Sequence, residues 1–278
     1  MAFRLLPVLE QSVLFAGEEI IDLYHYGHLI GRPLKDPVLA LQYERTEGFR
    51  GGIQAAAGHA RDFCHTEVFS TVSITKERYL DEAHLRKLFE FCRTPRVRSV
   101  KRPDWNAYDL IAIIDYGHGM FDETLIRSIS TGAKFLALNV QTNSANYGFN
   151  LVTRWPQARY LVMDEAEARL ASGIQFGDIR ECVTELESCG QTIVVTLGGR
   201  GALGWSESEG FIEAPACTTQ VIDTLGAGDA FFAVSALFAP QLPLAQLLEI
   251  GNAAGAAKTQ ITGHRQAVTR ARLAQWLA

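Results

Sequence analysis

Two carboxylates bracket a run of small residues near the end of this chain: Asp223, Thr224, Leu225, Gly226, Ala227, Gly228, Asp229. Residues 230–238, which follow, are apolar on almost every side and predict a buried helix. Glycines on either side of an alanine let the backbone turn tightly, with no bulky side chain in the way of a ligand. Free N–H groups at a helix start, helped by the helix dipole, form a site for an anion. Asp229 falls where loop becomes helix, so its carboxylate stands beside that site. It is ill suited to hold a phosphate and well suited to take a proton from an attacking hydroxyl. Taken as Gly-x-Gly alone, the pattern would be an ordinary helix start with an acid in its first turn.

The elements that must position this loop can be read in order. Residues 13–17 form an apolar run ending in Gly17, a buried first strand, with Asp22 soon after it. Residues 25–50 are irregular, with Pro33, Pro37 and a strand-like stretch at 38–41; Gly51 and Gly52 then open a helical run at 53–63. Residues 66–73 and 74–79 read as β structure, and Lys76, Arg78, Arg86 and Lys87 cluster there as either a solvated face or a phosphate clamp. Residues 110–115 are a strand ending in Asp115. Residues 134–140 form another, carrying Asn139 into a polar loop at 141–147. A strand at 160–163 leads to Asp164 and Glu167, which share one helix face or simply cap it. Thr196, Gly198 and Gly201 mark a Gly-rich turn after the strand at 192–196, with residues 202–205 as the return strand. Residues 247–262 predict a small-residue helix containing Asn252, closed by Gly263 and His264. Strands alternating with helices, with acids and glycines at the strand ends, place ligands at one sheet edge.

Composition limits the alternatives. The chain has 278 residues, 47% hydrophobic and 21% charged, with net charge −5, which argues against a general nucleic-acid binder. Cys64, Cys92, Cys182, Cys189 and Cys217 form no CxxC pair and read as reduced thiols. No apolar run approaches the roughly 20 residues that span a bilayer. The expectation is a cytoplasmic protein without a membrane or nucleic-acid partner.

The string from Asp223 to Asp229 resembles the C-terminal signature of the ribokinase-like (PfkB) carbohydrate kinases, and the resemblance extends over the chain from Val13 onward. It implies a three-layer α/β/α fold with a small β lid, as one domain over residues 1–278 with lid segments at roughly 23–50 and 72–82. It also implies ATP-dependent phosphorylation of a hydroxyl, with Asp229 as base and the amides of Gly226, Ala227 and Gly228 as the anion hole. Asp22, Gly51, Gly52, Asp115 and Asn139 would meet the acceptor. Thr196, Gly198, Gly201, Thr224 and Asn252 would lie on the nucleotide side. Asp164, where the family has Asn, and Glu167 would organise Mg²⁺. Asp115-Tyr116-Gly117-His118-Gly119 and Thr75-Lys76-Glu77-Arg78-Tyr79 are similar to the heptose-7-phosphate kinase branch, which implies Lys76 and Arg78 as a clamp on a sugar phosphate. That branch also implies a homodimer and a separate nucleotidyltransferase partner, and leaves a monovalent-cation requirement open. The chain departs from the family at Ala55 and Ala56, where many members have Asn. It also omits about one βα unit between residues 66–73 and 74–79. Two other readings stay open: a kinase of an unphosphorylated sugar or nucleoside, and a non-catalytic nucleotide-binding scaffold.

Overall fold

The computed structural model describes residues 5–32, 35–36, 38–84, 86–93, 95–143, 146–217 and 220–277. Pro33, Pro37, Ser144 and Ala145 lie outside the described residues. The first strand, β1 (Ser12–Gly17), leads into two long antiparallel strands, β2 (Glu19–Gly31) and β3 (Ala40–Gly52). Helix α1 (Ile53–Ala60) returns the chain to β4 (His65–Phe69), which pairs with β1 in parallel. Only Ser70 and Thr71 separate β4 from β5 (Val72–Asp81), so the missing βα unit leaves β4 as the edge of the main sheet. Beyond β5 come β6 (Arg86–Cys92) and the short β7 (Arg96–Val97), neither expected from the sequence. The β2, β3, β5, β6 and β7 strands form the small lid sheet.

The rest of the chain alternates as expected: β8 (Leu110–Asp115), α2 (Glu123–Gly132), β9 (Leu136–Val140), β10 (Ala158–Asp164), α3 (Glu165–Ser172), α4 (Ile179–Glu185), β11 (Gly190–Thr196), β12 (Ala202–Ser206) and β13 (Gly210–Ala214). It ends in α5 (Ala227–Phe238), α6 (Leu244–Thr259) and α7 (Arg270–Leu273). The main sheet has eight strands in the order β13-β12-β11-β10-β9-β8-β1-β4, parallel from β4 to β11 and antiparallel at β12 and β13. Successive strand residues point to opposite faces, and two separate cores result. Val13, Phe15, Leu110, Ala112 and Ile114 pack with α1, α5 and α6, while Leu14, Ala16, Ile111 and Ile113 pack with α2 and α4. Strands buried on both faces read as continuous apolar runs, which is why β8 and β11 are plain in the sequence. Among the described residues no helix is long and apolar enough to cross a membrane. The five cysteines are free thiols.

Candidate active site

The carboxyl ends of β9, β10 and β11, with Tyr116 after β8, line two cavities together with the start of α5. Gly226 adopts φ 75°, a left-handed turn that an L side chain resists, and caps α5. Asp229 lies in the first turn of α5 and is buried, lining the first cavity of about 280 Å³. Gly226 lines the first cavity, Ala227 and Thr224 the second of about 540 Å³, and Gly228 both. The loop is therefore the partition between two chambers. A correction concerns its amides: Ala227 N donates to Thr224 O at 3.2 Å, because the chain makes a tight turn there. Among the described residues, that leaves the amides of Gly226 and Gly228 without such a partner.

Burial raises Asp229 above the ordinary carboxylate range; nearby His264, the Gln141 amide and Lys258 oppose the shift without cancelling it. Gln141 Nε2 donates to Asp229 Oδ1 at 2.6 Å, which fixes the carboxylate, and the buried Tyr116 hydroxyl bears on it as well. A carboxylate with raised affinity for protons is a stronger base than an exposed one. Opposite it stands Asp22 on β2. Its Oδ1 accepts from Arg78 Nη1 in a buried ion pair, and His264 Nε2 is 3.6 Å from Oδ2. A side chain at Gly51 would press on Asp22 Oδ2 at 2.5 Å and on the His264 ring at 3.1 Å, so Gly51 sits beside the cavity and keeps that pair together. Gly52 lines it.

The basic cluster divides. Lys76 and Arg78 line the first cavity, but Arg78 is already paired with Asp22 and, at 2.8 Å, with Glu90 on β6. Lys76 has no salt bridge among the described residues. Arg86 and Lys87 are exposed on β6 and away from the cavity.

Asp115, expected at the acceptor, is turned inward. It accepts from Trp155 Nε1 at 3.1 Å, Gly117 N at 3.0 Å and Asn150 Nδ2 at 3.2 Å, and it does not line the cavity. Burial outweighs these donors and keeps its affinity for protons high. Asn139 reaches the wall, but its Nδ2 donates to Val162 O at 2.9 Å and its Oδ1 accepts from Gln141 Nε2 at 3.0 Å. It therefore acts by holding Gln141, which in turn holds Asp229.

Asp164 and Glu167 form a reciprocal capping box at the start of α3: Glu167 N donates to Asp164 Oδ1 at 2.7 Å, and Asp164 N to Glu167 Oε2 at 2.8 Å. Glu167 Oε1 also accepts from Thr142 N at 2.9 Å. Burial and the charge of Asp164 push Glu167 up to about 8. Among the described residues no group of three or more His, Cys, Asp or Glu gathers to hold a metal ion directly. Asp164 lines both chambers with Glu167 beside it, and a bound cation would favour the ionised form of Glu167; the pair fits a hydrated Mg²⁺, which keeps several of its waters.

Thr196, Gly198, Gly201, Thr224 and Asn252, expected on the nucleotide side, all line the second, more apolar chamber. Asn252 Nδ2 donates to Ala214 O at 3.2 Å and Pro215 O at 3.0 Å, so this side chain shapes the wall. A Cβ at Gly201 would strike Ala214 O at 2.1 Å, which fixes the close approach of β13 to the turn. Two residues escaped the sequence reading. Glu18, fully buried, accepts from Tyr116 N and His118 N at 3.0 Å and Met120 N at 3.3 Å, organising the loop after β8. Lys258, also fully buried, reaches the loop before α5 from α6. An acid next to a buried glycine, and a lysine in a small-residue helix, were the only signals.

Two chambers divided by a helix N-terminus, with the buried Asp229 carboxylate on one side, lie in a ribokinase-like fold, which the structural comparisons share. The structure is similar to a nucleoside kinase from Methanocaldococcus jannaschii described as an archaeal member of the ribokinase family (15% identity, TM-score 0.72, 97% of this chain and 99% of that one). It is similar to Arabidopsis thaliana ribokinase complexed with ribose and ATP (14% identity, TM-score 0.72, 97% and 99%). It also resembles phosphofructokinase-2 from Escherichia coli in complex with potassium (14% identity, TM-score 0.71, 97% and 98%). A sequence search of curated proteins gives no match. Residues 128–270, just over half of the chain, match the pfkB family carbohydrate kinase pattern. The chain belongs to the pfkB family of carbohydrate kinases.

Proposed function

We propose that this kinase transfers the γ-phosphoryl group of ATP to a hydroxyl of a sugar phosphate of the heptose-7-phosphate type. ATP would occupy the larger chamber, with its base against Asn252, Gly255 and Ala256 and its phosphates toward Gly198 and Gly228. The acceptor would lie between Asp22 and Asp229. Asp229 takes the hydroxyl proton as the acceptor oxygen bonds to the γ-phosphorus and the bond to the β-phosphate oxygen breaks, releasing ADP. The amides of Gly226 and Gly228 and the positive end of α5 stabilise the charge that builds on the transferred group. Asp164 and Glu167 would hold a hydrated Mg²⁺, which supplies charge neutralisation on the ATP phosphates.

The observation that carries the phosphosugar reading is Lys76: a cation with no salt bridge among the described residues, in a chamber where Arg78 is already paired. The same pairing of Arg78 favours a second reading, an unphosphorylated sugar or nucleoside whose hydroxyls bond Asp22. ADP release across free and phosphorylated sugars, with wild type and Lys76→Ala, separates the two. Turnover confined to sugar phosphates, with KM raised by about tenfold or more in the variant, supports the first. Turnover on free sugars with KM unmoved supports the second. The exposed aromatic residues on the outer face of the lid support a homodimer joined through the lid.

A further inference from the structure

Lys258 sits in the last turn of α6 with no exposed surface. Its Nζ donates to Leu225 O at 2.6 Å and Gly263 O at 2.9 Å, and lies 3.4 Å from Ile261 O. Leu225 immediately precedes Gly226, and Gly263 precedes His264, so the ammonium ties the anion-hole loop to the segment that closes the acceptor chamber. Asp223 ties the same two stretches: Oδ1 accepts from Leu225 N at 3.0 Å and Oδ2 from Gly263 N at 2.8 Å. Carbonyl oxygens converging on one buried point repel each other unless a cation sits between them, and such a set can replace the hydration shell of an ion of potassium's size. An ammonium group is of similar size and offers its three N–H donors to those oxygens. Burial lowers the affinity of Lys258 for its proton, and the charges of Asp223 on the loop and Asp229 on α5 oppose that shift.

We propose that Lys258 is a tethered monovalent cation, which holds the loop before Gly226 in its working shape and removes any need for a free potassium or ammonium ion there. A soluble ion must be drawn from the medium and lose its freedom each time it binds. A side chain is present in every molecule at a local concentration the medium does not change. The carbonyl set does not fit a free monovalent ion while Nζ occupies it. Lys258 touches neither chamber, so it acts by positioning Leu225 and Gly226.

The inference rests on the kinase reading, and its test has a readout that does not. Wild-type turnover and melting temperature are measured in sodium, potassium, ammonium and tetramethylammonium chlorides at one ionic strength, and again for Lys258→Ala. Wild-type turnover should vary by no more than about twofold among these salts. The variant should lose about 10²-fold in sodium or tetramethylammonium, and recover at least about tenfold in potassium or ammonium. Its melting temperature should rise in potassium or ammonium while that of the wild type stays fixed. Several-fold activation of the wild type by potassium would overturn the inference. So would a folded variant whose activity and melting temperature are both indifferent to the cation. The wild-type arm decides if the alanine variant does not fold. If no acceptor is phosphorylated in any salt, the kinase reading fails and the melting temperatures alone decide the role of Lys258.

Discussion

At the scale of single residues, the first chamber is a set of buried charges that constrain one another. In its proposed role as base Asp229 needs an oxygen for the proton, and Gln141 engages only Oδ1. Asp229→Asn keeps the volume and one acceptor oxygen but cannot take a proton. Turnover should fall about 10²–10⁴-fold with KM values and melting temperature little changed, read by ADP release and thermal denaturation. A variant retaining more than a tenth of wild-type turnover would remove Asp229 from the role of base. Glu18 gives a pH prediction. Burial and the neighbouring charge of Asp115 push it up to about 7, above its ordinary 4.5. A group whose folded value is raised contributes stability that is full below 4.5 and is lost as pH rises through about 7. Denaturant unfolding should therefore show the wild type losing stability over that window, by on the order of 2 kcal/mol from Glu18. In Glu18→Gln the loss should be shallower, although the variant starts lower because its amide meets the Tyr116 N–H. Equal slopes in the two proteins would rule out Glu18 as the source.

At the scale of elements, glycines set which backbone can approach which. Gly52 holds φ 57° at the start of α1, and a Cβ there would meet Glu18 O at 2.6 Å and Ile20 N at 2.9 Å. Gly52→Ala should cost about 1–3 kcal/mol of stability, since neither neighbour is a flexible side-chain end. Gly228 is the opposite case. It is helical, without positive φ, and its Cβ would enter open space. Gly228→Ala should leave the melting temperature unchanged or higher, because Ala favours a helix by about 1 kcal/mol. Its methyl group would stand in the passage shared by both chambers, so turnover should fall about tenfold or more. Calorimetry and ADP release on the same two variants check both halves. Most of this scaffold was legible: β8, β10 and β11 are apolar runs because both faces are buried, and the turn at Gly226 requires glycine. Local sequence could not show the partners brought from afar. Asp115 ends its strand at the edge where ligands are expected, yet Trp155 and Asn150 draw it inward. Arg78 fits the phosphate-clamp pattern, and only the register of β2 against β5 reveals that Asp22 claims it. β6 escaped notice because it is exposed and so carries no core pattern.

At the scale of the molecule, the lid sheet has one face on the chamber and one away from it. The inner face carries Asp22, Tyr24, Lys76 and Arg78. The outer carries Glu77 and a stack of His25, Tyr79 and Phe89, with ring centroids 4.6 and 4.4 Å apart. Phe89 and Phe91 are 55% and 53% exposed on β6, beside that stack. Two large aromatic side chains on the outer face of a thin sheet form a patch that a second copy of the chain can cover, and a two-fold pair presents the same patch from each side. Joining two lids would also stiffen strands that have no helix behind them, keeping Lys76 and Asp22 in register over the first chamber. Wild type should therefore sediment at twice the 30.7 kDa chain mass, and Phe89→Glu with Phe91→Glu at the single mass. In the double variant KM for the acceptor should rise by about fivefold or more. KM for ATP should stay near wild type, because among the described residues the second chamber, where ATP is proposed to bind, draws none from the lid. A wild type at the single mass, or a monomeric variant with both KM values unchanged, would detach the outer face from the working of the lid.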